Sequence, residues 1–270
     1  MKPARFDYVA AVSSDEALAA LAGNEAKILA GGQSLVPLLN MRLARPSLLV
    51  DVNRVPDLDR VEVDGSVRIG ALARQADVLA SPAAVAVPVL AAALRHVGHP
   101  ATRSRGTIGG SLAHADPAAE LPAVLLALDG EIVARSTTGE RTIGAEAFFT
   151  GPFTTDLRPD ELLTDVLLPR QGSRPFGFAE LSRRHGDFAL AGAIVLLGPA
   201  RIVLFGLGGA PERAVPAEQA LDGDAPAAEV AELATRDLEP VDDVHADGAY
   251  RRRVAAVLVR RAVEEARSGG

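Results

Sequence analysis

Apolar positions recur along this chain in two periods, and together they outline its elements. Ala17, Leu18 and Leu21 fall on one helical stripe, behind Ser13 and Glu16 at capping-box spacing. Gly23-Asn24 is expected to end that helix. Phe6 to Val12 reads as extended chain, and Ile28-Leu29-Ala30 and Leu48 to Val52 as short strands. Leu35, Leu38, Leu39 and Met41 predict a helix between them, so the first fifty or so residues form a small α/β unit. Val61-Glu62-Val63 and Val67-Arg68-Ile69 flank Asp64-Gly65-Ser66, a hairpin pattern. Gln75 to Leu79 and Pro82 to Val97 read as helices, the second restarted at Pro88. Ala118 to Leu128 predicts a helix and Glu131 to Arg135 a strand; Thr142 to Phe149 holds a short helix ending in Phe148-Phe149, and Leu162 to Leu168 predicts a strand closed by Pro169.

Gln171-Gly172-Ser173-Arg174-Pro175 is polar punctuation between apolar segments and the best domain boundary. Beyond it, Phe176 to Leu181, Phe188 to Leu197 and Arg201 to Leu207 predict an antiparallel sheet. Ala217 to Leu221 and Ala227 to Leu233 predict helices. Tyr250 to Ala266 is the clearest helix, with Val254, Val257, Leu258 and Arg261 on successive turns.

Two glycine loops interrupt these elements. The first is Ala30-Gly31-Gly32-Gln33-Ser34, between a strand and a helix. The second lies in Arg103 to Glu120, RSRGTIGGSLAHADPAAE, where Gly106, Gly109 and Gly110 precede a helix. Thr107, Ser111 and the N–H groups at that helix start are candidate anion donors, and Arg103 and Arg105 add forked donors. A plain glycine turn with solvated arginines explains the second stretch equally, and Ser34 as a helix cap explains the first. Neither loop is a Walker A sequence or a G-x-G-x-x-G fingerprint. Two separate loops suit a ligand whose diphosphate is clamped from both sides.

Composition narrows the picture. The net charge of -7, with no basic stripe, argues against nucleic acid. With no cysteine, the chain can hold neither a disulfide nor a cysteine-ligated iron–sulfur cluster. The start, MKPARFDYVA, lacks the apolar stretch of a signal peptide, and no apolar window is long enough for a membrane span, so a cytoplasmic protein is expected. His114 and Asp116 are close in sequence but lack a third ligand, which favours backbone hydrogen bonding over a metal site. His96 and His99 read as a helix end and a turn, and His185 and His245 as surface residues. Arg183-Arg184 is a solvated pair or a partner contact.

With these residues in view, the chain resembles the FAD-binding medium subunit of the molybdenum hydroxylases, the family of aerobic carbon monoxide dehydrogenase and xanthine dehydrogenase. Ala30-Gly31-Gly32-Gln33-Ser34 matches the family's first FAD loop, and Thr107-Ile108-Gly109-Gly110-Ser111 its second. Arg103-Ser104-Arg105-Gly106 and Leu112-Ala113-His114-Ala115-Asp116-Pro117 match on either side. Asp160-Glu161-Leu162-Leu163, Ser182-Arg183-Arg184, Gly186-Asp187-Phe188-Ala189 and Tyr250-Arg251-Arg252 are further landmarks, so the likeness spans nearly the whole chain.

The resemblance implies an α+β protein: a two-subdomain FAD-binding fold of the PCMH type over 1–170, divided near residue 55, and a C-terminal antiparallel sheet with helices over 171–270. It implies FAD held by Ala30, Gly31, Gly32, Gln33, Ser34, Leu35, Arg103, Thr107, Ile108, Gly109, Gly110, Ser111, His114, Asp116, Glu120, Leu163, Phe178 and Glu180. It implies a small subunit with two [2Fe–2S] clusters, a large molybdopterin subunit, a dimer of heterotrimers, and electron flow through FAD to an external acceptor. An assembly subunit that has lost its flavin, or a stand-alone flavin oxidoreductase, is the alternative. Four positions depart from the family pattern. Glu120 replaces an aspartate expected to bond the flavin's sugar chain. Phe178 and Glu180 stand where some relatives have tyrosine and lysine. His99 stands where many have an acid.

Overall fold

The structure is a computed structural model and describes residues 2–22 and 25–269. The helix stop expected at Gly23-Asn24 lies outside the described residues.

The chain begins with β1 (Asp7–Ala10), α1 (Ser14–Leu21), β2 (Ala26–Leu29), α2 (Leu35–Asn40) and β3 (Leu48–Asp51). The strands form a parallel sheet in the order β1-β3-β2. Ser13 caps α1 by accepting from the N–H of Glu16, while the Glu16 carboxylate accepts from Val12 N, one residue earlier than in a capping box. Ala17, Leu18 and Leu21 bury against Val50 and Val52, as the stripe predicts.

Next come β4 (Val61–Val63), β5 (Ser66–Gly70), α3 (Gln75–Ala80), α4 (Pro82–Ala86), α5 (Pro88–His96), α6 (Pro100–Arg103), α7 (Ile108–His114) and α8 (Glu120–Ala127). They are followed by β6 (Glu131–Ser136), β7 (Gly139–Gly144), α9 (Ala145–Phe148), β8 (Phe149–Gly151), β9 (Thr154–Thr155) and β10 (Leu162–Pro169). An antiparallel sheet runs β4-β5-β10-β6-β7. Every residue of α8 is buried, which places that helix in the middle of the molecule. The short helix expected within Thr142 to Phe149 is Ala145–Phe148, and Thr142 to Gly144 ahead of it belong to β7. Thr142 pairs with Val133 and Ile143 with Ile132. The hairpin to β6 supplies hydrogen bonds that local propensity does not register.

The last part holds β11 (Phe176–Ser182), β12 (Ala189–Leu196), β13 (Arg201–Phe205) and β14 (Glu212–Arg213), then α10 (Val215–Asp222), α11 (Ala227–Thr235) and α12 (Gly248–Ser268). The strands form an antiparallel sheet in that order. One face, with Ala191, Ala193 and Val195, packs on α10, α11 and α12; the other, with Ile194, Leu196 and Phe205, packs on the core around α5 and α8. Covered on both faces, β12 is buried at every position. The buried stripe of α12 is Ala255, Leu258, Val259, Ala262, Val263 and Ala266; Val257 and Arg261, expected on that stripe, face outward. Among the described residues no helix is long and apolar enough to cross a membrane.

Candidate cofactor site

The first glycine loop follows β2. Gly32 has φ +74, the left-handed region that glycine enters freely. Among the described residues, no group accepts a hydrogen bond from the N–H of Gly31, Gly32, Gln33, Ser34 or Leu35. Ser34 does not cap α2: its backbone is helical and its hydroxyl makes no capping bond. The loop thus presents five consecutive donors and a free hydroxyl, a concave backbone nest of the kind that binds anions.

The second loop differs from expectation. The N–H groups at the start of α7 are spent inside the chain. Ile108 N donates to Ala73 O, Gly109 N to Ala71 O, and Gly110 N to Thr107 Oγ1. Gly109 is buried against Ala71, where a Cβ would stand 2.6 Å from the alanine methyl, so this glycine serves packing. Ser111 is half-buried with an uncommitted hydroxyl. Arg103, expected to reach an anion, turns an Nη to the carbonyls of Val97 and Gly98, 2.9 and 3.0 Å away, at the end of α5. Arg105 is exposed.

The two loops touch. A Cβ on Gly31 would overlap the carbonyl oxygen of Arg105 and lie 3.0 Å from Gly106 Cα. Gly110 lies on the same side, 3.7 Å from the Ala30 methyl by the same construction. The structure therefore brings Ala30 to Leu35 together with Thr107 to Ser111.

Farther along, His114 is half-buried with its ring 5.2 Å from that of Phe153, and burial holds its pKa below the ordinary value. Asp116 accepts from Ala118 N at 2.9 Å, the local backbone bond expected for it, and burial raises its pKa. Leu163 is a core residue beside a bulge in β10.

Phe178 and Glu180 share the face of β11 that looks toward α5, as strand alternation requires. The Phe178 ring lies 4.9 Å from that of His96. The Glu180 side chain is 2% exposed, and its Oε2 has no hydrogen-bond partner. Burial raises the Glu180 pKa to about 7. Glu120, at the start of α8, is also buried, and burial together with the Glu180 charge raises its pKa to about 8. His96 Nδ1 is 3.7 Å from Glu180, yet burial and His185 hold His96 below its ordinary pKa. The contact is therefore not a formed ion pair near neutral pH.

Sequence reasoning missed this cluster. His185 lies more than eighty residues beyond His96 and His99 in sequence, but sits 6.4 Å, ring to ring, from each of them. Gly186, at φ +86, packs the 183–187 loop onto the turn at Gly98 and His99. Among the described residues no group of three histidines or acids could hold a metal ion.

Two family models account for nearly all of the chain. Residues 4–171 match the FAD binding domain in molybdopterin dehydrogenase, and residues 176–266 match the CO dehydrogenase flavoprotein C-terminal domain. The chain is 45% identical to the 6-hydroxypseudooxynicotine dehydrogenase complex subunit alpha of Paenarthrobacter nicotinovorans, over 98% of this chain and 96% of that one. This chain belongs to the FAD-binding medium subunits of the molybdenum hydroxylases. It is 35% identical to the carbon monoxide dehydrogenase medium chain of Hydrogenophaga pseudoflava, over 98% of both. Its fold superposes on a chain of quinoline 2-oxidoreductase from Pseudomonas putida 86 with a TM-score of 0.94 at 37% identity, covering 100% of this chain and 99% of the other. The protein is thus an FAD-carrying subunit of an oxidoreductase complex, with the α+β architecture of the family. The unbonded nest at 31–35 fits such a cofactor, because a diphosphate supplies the acceptors those donors lack.

Proposed function

We propose that this medium subunit relays electrons from the [2Fe–2S] clusters of a small partner subunit, through FAD, to an external acceptor. A large molybdopterin subunit oxidises the substrate, and the complex is a cytoplasmic dimer of heterotrimers. The observation that carries the reading is the run of five unbonded N–H groups beside the Thr107 and Ser111 hydroxyls. In this reading Gly31 to Leu35 hold the diphosphate from one side and Thr107, Gly110 and Ser111 close it from the other. His114, Asp116 and Glu120 line the approach to the sugar chain, with Leu163 beneath it, while Phe178 and Glu180 border the ring. Bound FAD supplies an electron acceptor that can be refilled and emptied; the chain's residues hold it, orient it and keep water away.

We assign 1–170 to the FAD-binding domain, divided near residue 55, and 171–270 to the C-terminal domain. Several relatives are named for the oxidation of nitrogen heterocycles, nicotine and quinoline among them. A substrate of that class is our choice for the assembled complex.

The test is expression of the chain alone and with neighbouring subunits. Alone, it should purify yellow and oxidise no substrate of the complex; pull-down with its partners should restore turnover. A colourless chain that still assembles would point to a subunit without flavin, and turnover by the chain alone would point to a stand-alone oxidoreductase.

A further inference from the structure

The two glycine loops hang from different sheets. The first follows β2 of the parallel sheet, and the second runs from α6 into α7 beside β5. They meet directly only where Gly31 packs on Arg105 O and Gly106, and where Gly110 nears Ala30.

Two side chains outside both loops tie them together. Asn53, just past β3, donates from Nδ2 to Ala30 O at 2.9 Å, on the first loop. The same nitrogen donates to Asp51 Oδ1 at 2.6 Å, and Asn53 N donates there at 2.8 Å, which fixes the amide's orientation. Asn53 Oδ1 accepts from Arg74 Nη2 at 2.6 Å. The other arm of Arg74, Nη1, donates to Arg105 O at 2.6 Å, on the second loop. That carbonyl oxygen is the atom a Cβ on Gly31 would overlap. Arg74 also travels with the second loop through its backbone: it bridges Thr107, and Gln75 N donates to Gly106 O.

The chemistry at each position is restrictive. A short side chain must donate toward Ala30 and accept from a guanidinium, which an amide does and a carboxylate or alkyl group does not. The second side chain must reach two oxygens in different directions, which a planar fork does and a single ammonium does not. We propose that Asn53 and Arg74 form a clasp that sets the separation of the two glycine loops and so preorganises the diphosphate cradle, acting as positioning residues that do not themselves touch the cofactor. The inference rests on the FAD assignment of those loops made above.

The experiment titrates the full-length apo chain with FAD, following flavin fluorescence, and repeats the titration with ADP as competitor. Asn53→Ala and Arg74→Ala should each weaken FAD by about tenfold or more, and ADP by the same factor, because both ligands use the cradle. The bonds lie in series, so the double variant should be no weaker than about twofold beyond the worse single variant. Apo thermal midpoints should stay within about 3 °C of wild type, a readout that general loosening of the fold would move. If an alanine variant fails to fold, Arg74→Lys and Asn53→Asp carry the same test. Affinities within about twofold of wild type, or single effects that multiply in the double variant, overturn the clasp. A wild-type chain that does not bind FAD, or a Gly31→Val chain that retains it, overturns the cofactor assignment instead.

Discussion

Glu180 directs Oε2 toward His96 Nδ1 across 3.7 Å, in a pocket where that oxygen has no hydrogen bond. Each group resists charge: burial lifts the carboxyl to about 7 and pushes the imidazole down. That face of β11 therefore carries a carboxyl whose charge changes near physiological pH.

The first prediction concerns redox potential. Deprotonated Glu180 penalises an added negative charge nearby, and the penalty is large in a site closed to water. Glu180→Lys should raise the FAD potential with flavin content unchanged. The gap from wild type should widen between pH 6 and pH 8, as the native carboxyl loses its proton. Spectroelectrochemical titration at both pH values measures it; an unchanged or lower potential would show that Glu180 does not face the ring.

The second concerns stability against pH. Glu120 and Glu180 have folded pKa values of about 8 and about 7, against an ordinary value of 4.5. Between 4.5 and about 8 the folded chain binds more protons than the unfolded one, so these two groups make stability fall as pH rises. Glu161, held low by Arg141, has the opposite sign: its contribution is lost as pH falls. Thermal midpoints of the apo chain should decline from pH 5.5 to 8.5 less steeply in the Glu120→Gln, Glu180→Gln double variant. An equally steep decline in that variant would rule out these carboxyls as the titrating groups.

A third sorts the glycines. Gly31→Val forces a side chain into the Arg105 carbonyl and should abolish FAD retention while leaving a folded chain. Gly110→Val, meeting Thr107 Oγ1 at 2.6 Å, should also lose FAD. Gly109→Val should instead lower the thermal midpoint by collision with Ala71, because that glycine is buried in the core. Flavin content after gel filtration and melting curves separate the two outcomes; a Gly31→Val chain with full FAD would refute the loop assignment.

The fourth concerns Arg251, 3% exposed on α12. It donates to Leu190 O at 2.6 Å, Gly206 O at 2.9 Å and Asp243 at 2.5 Å. Arg251→Met leaves two buried carbonyls without their donor, while the Asp243 carboxylate keeps its bonds from His245 N and Ala246 N, and should cost on the order of 3 kcal/mol. Urea denaturation measures it. A loss below about 1 kcal/mol would mean that the α12 anchor lies elsewhere.

Much of this was legible in the chain. The glycine loops stand out because glycine pairs between a strand and a helix are rare without a reason, and the Phe178–Glu180 face follows from strand alternation. Which N–H groups stay free was not legible, since the partners of Ile108 and Gly109 are Ala73 and Ala71 respectively, more than thirty residues earlier. Asn53 and Arg74 carry no local signal; their roles arise only when two sheets meet. The short helix ending at Phe148 was legible, but the strand just before it was not, because Thr142 and Ile143 are held by pairing with β6 across the turn at Ser136 to Gly139.

The unequal hydrogen bonding of the two loops divides the entropy of capture between them. The amides of Ile108, Gly109 and Gly110 are already bonded, so the wall they form is finished before a ligand arrives. Those of Gly31 to Leu35 are not, and their deuterium uptake should be fast in the apo chain and slow once the diphosphate is seated. On the FAD assignment proposed above, protection gained on binding would therefore be confined to the first loop, since the amides of the second are bonded already.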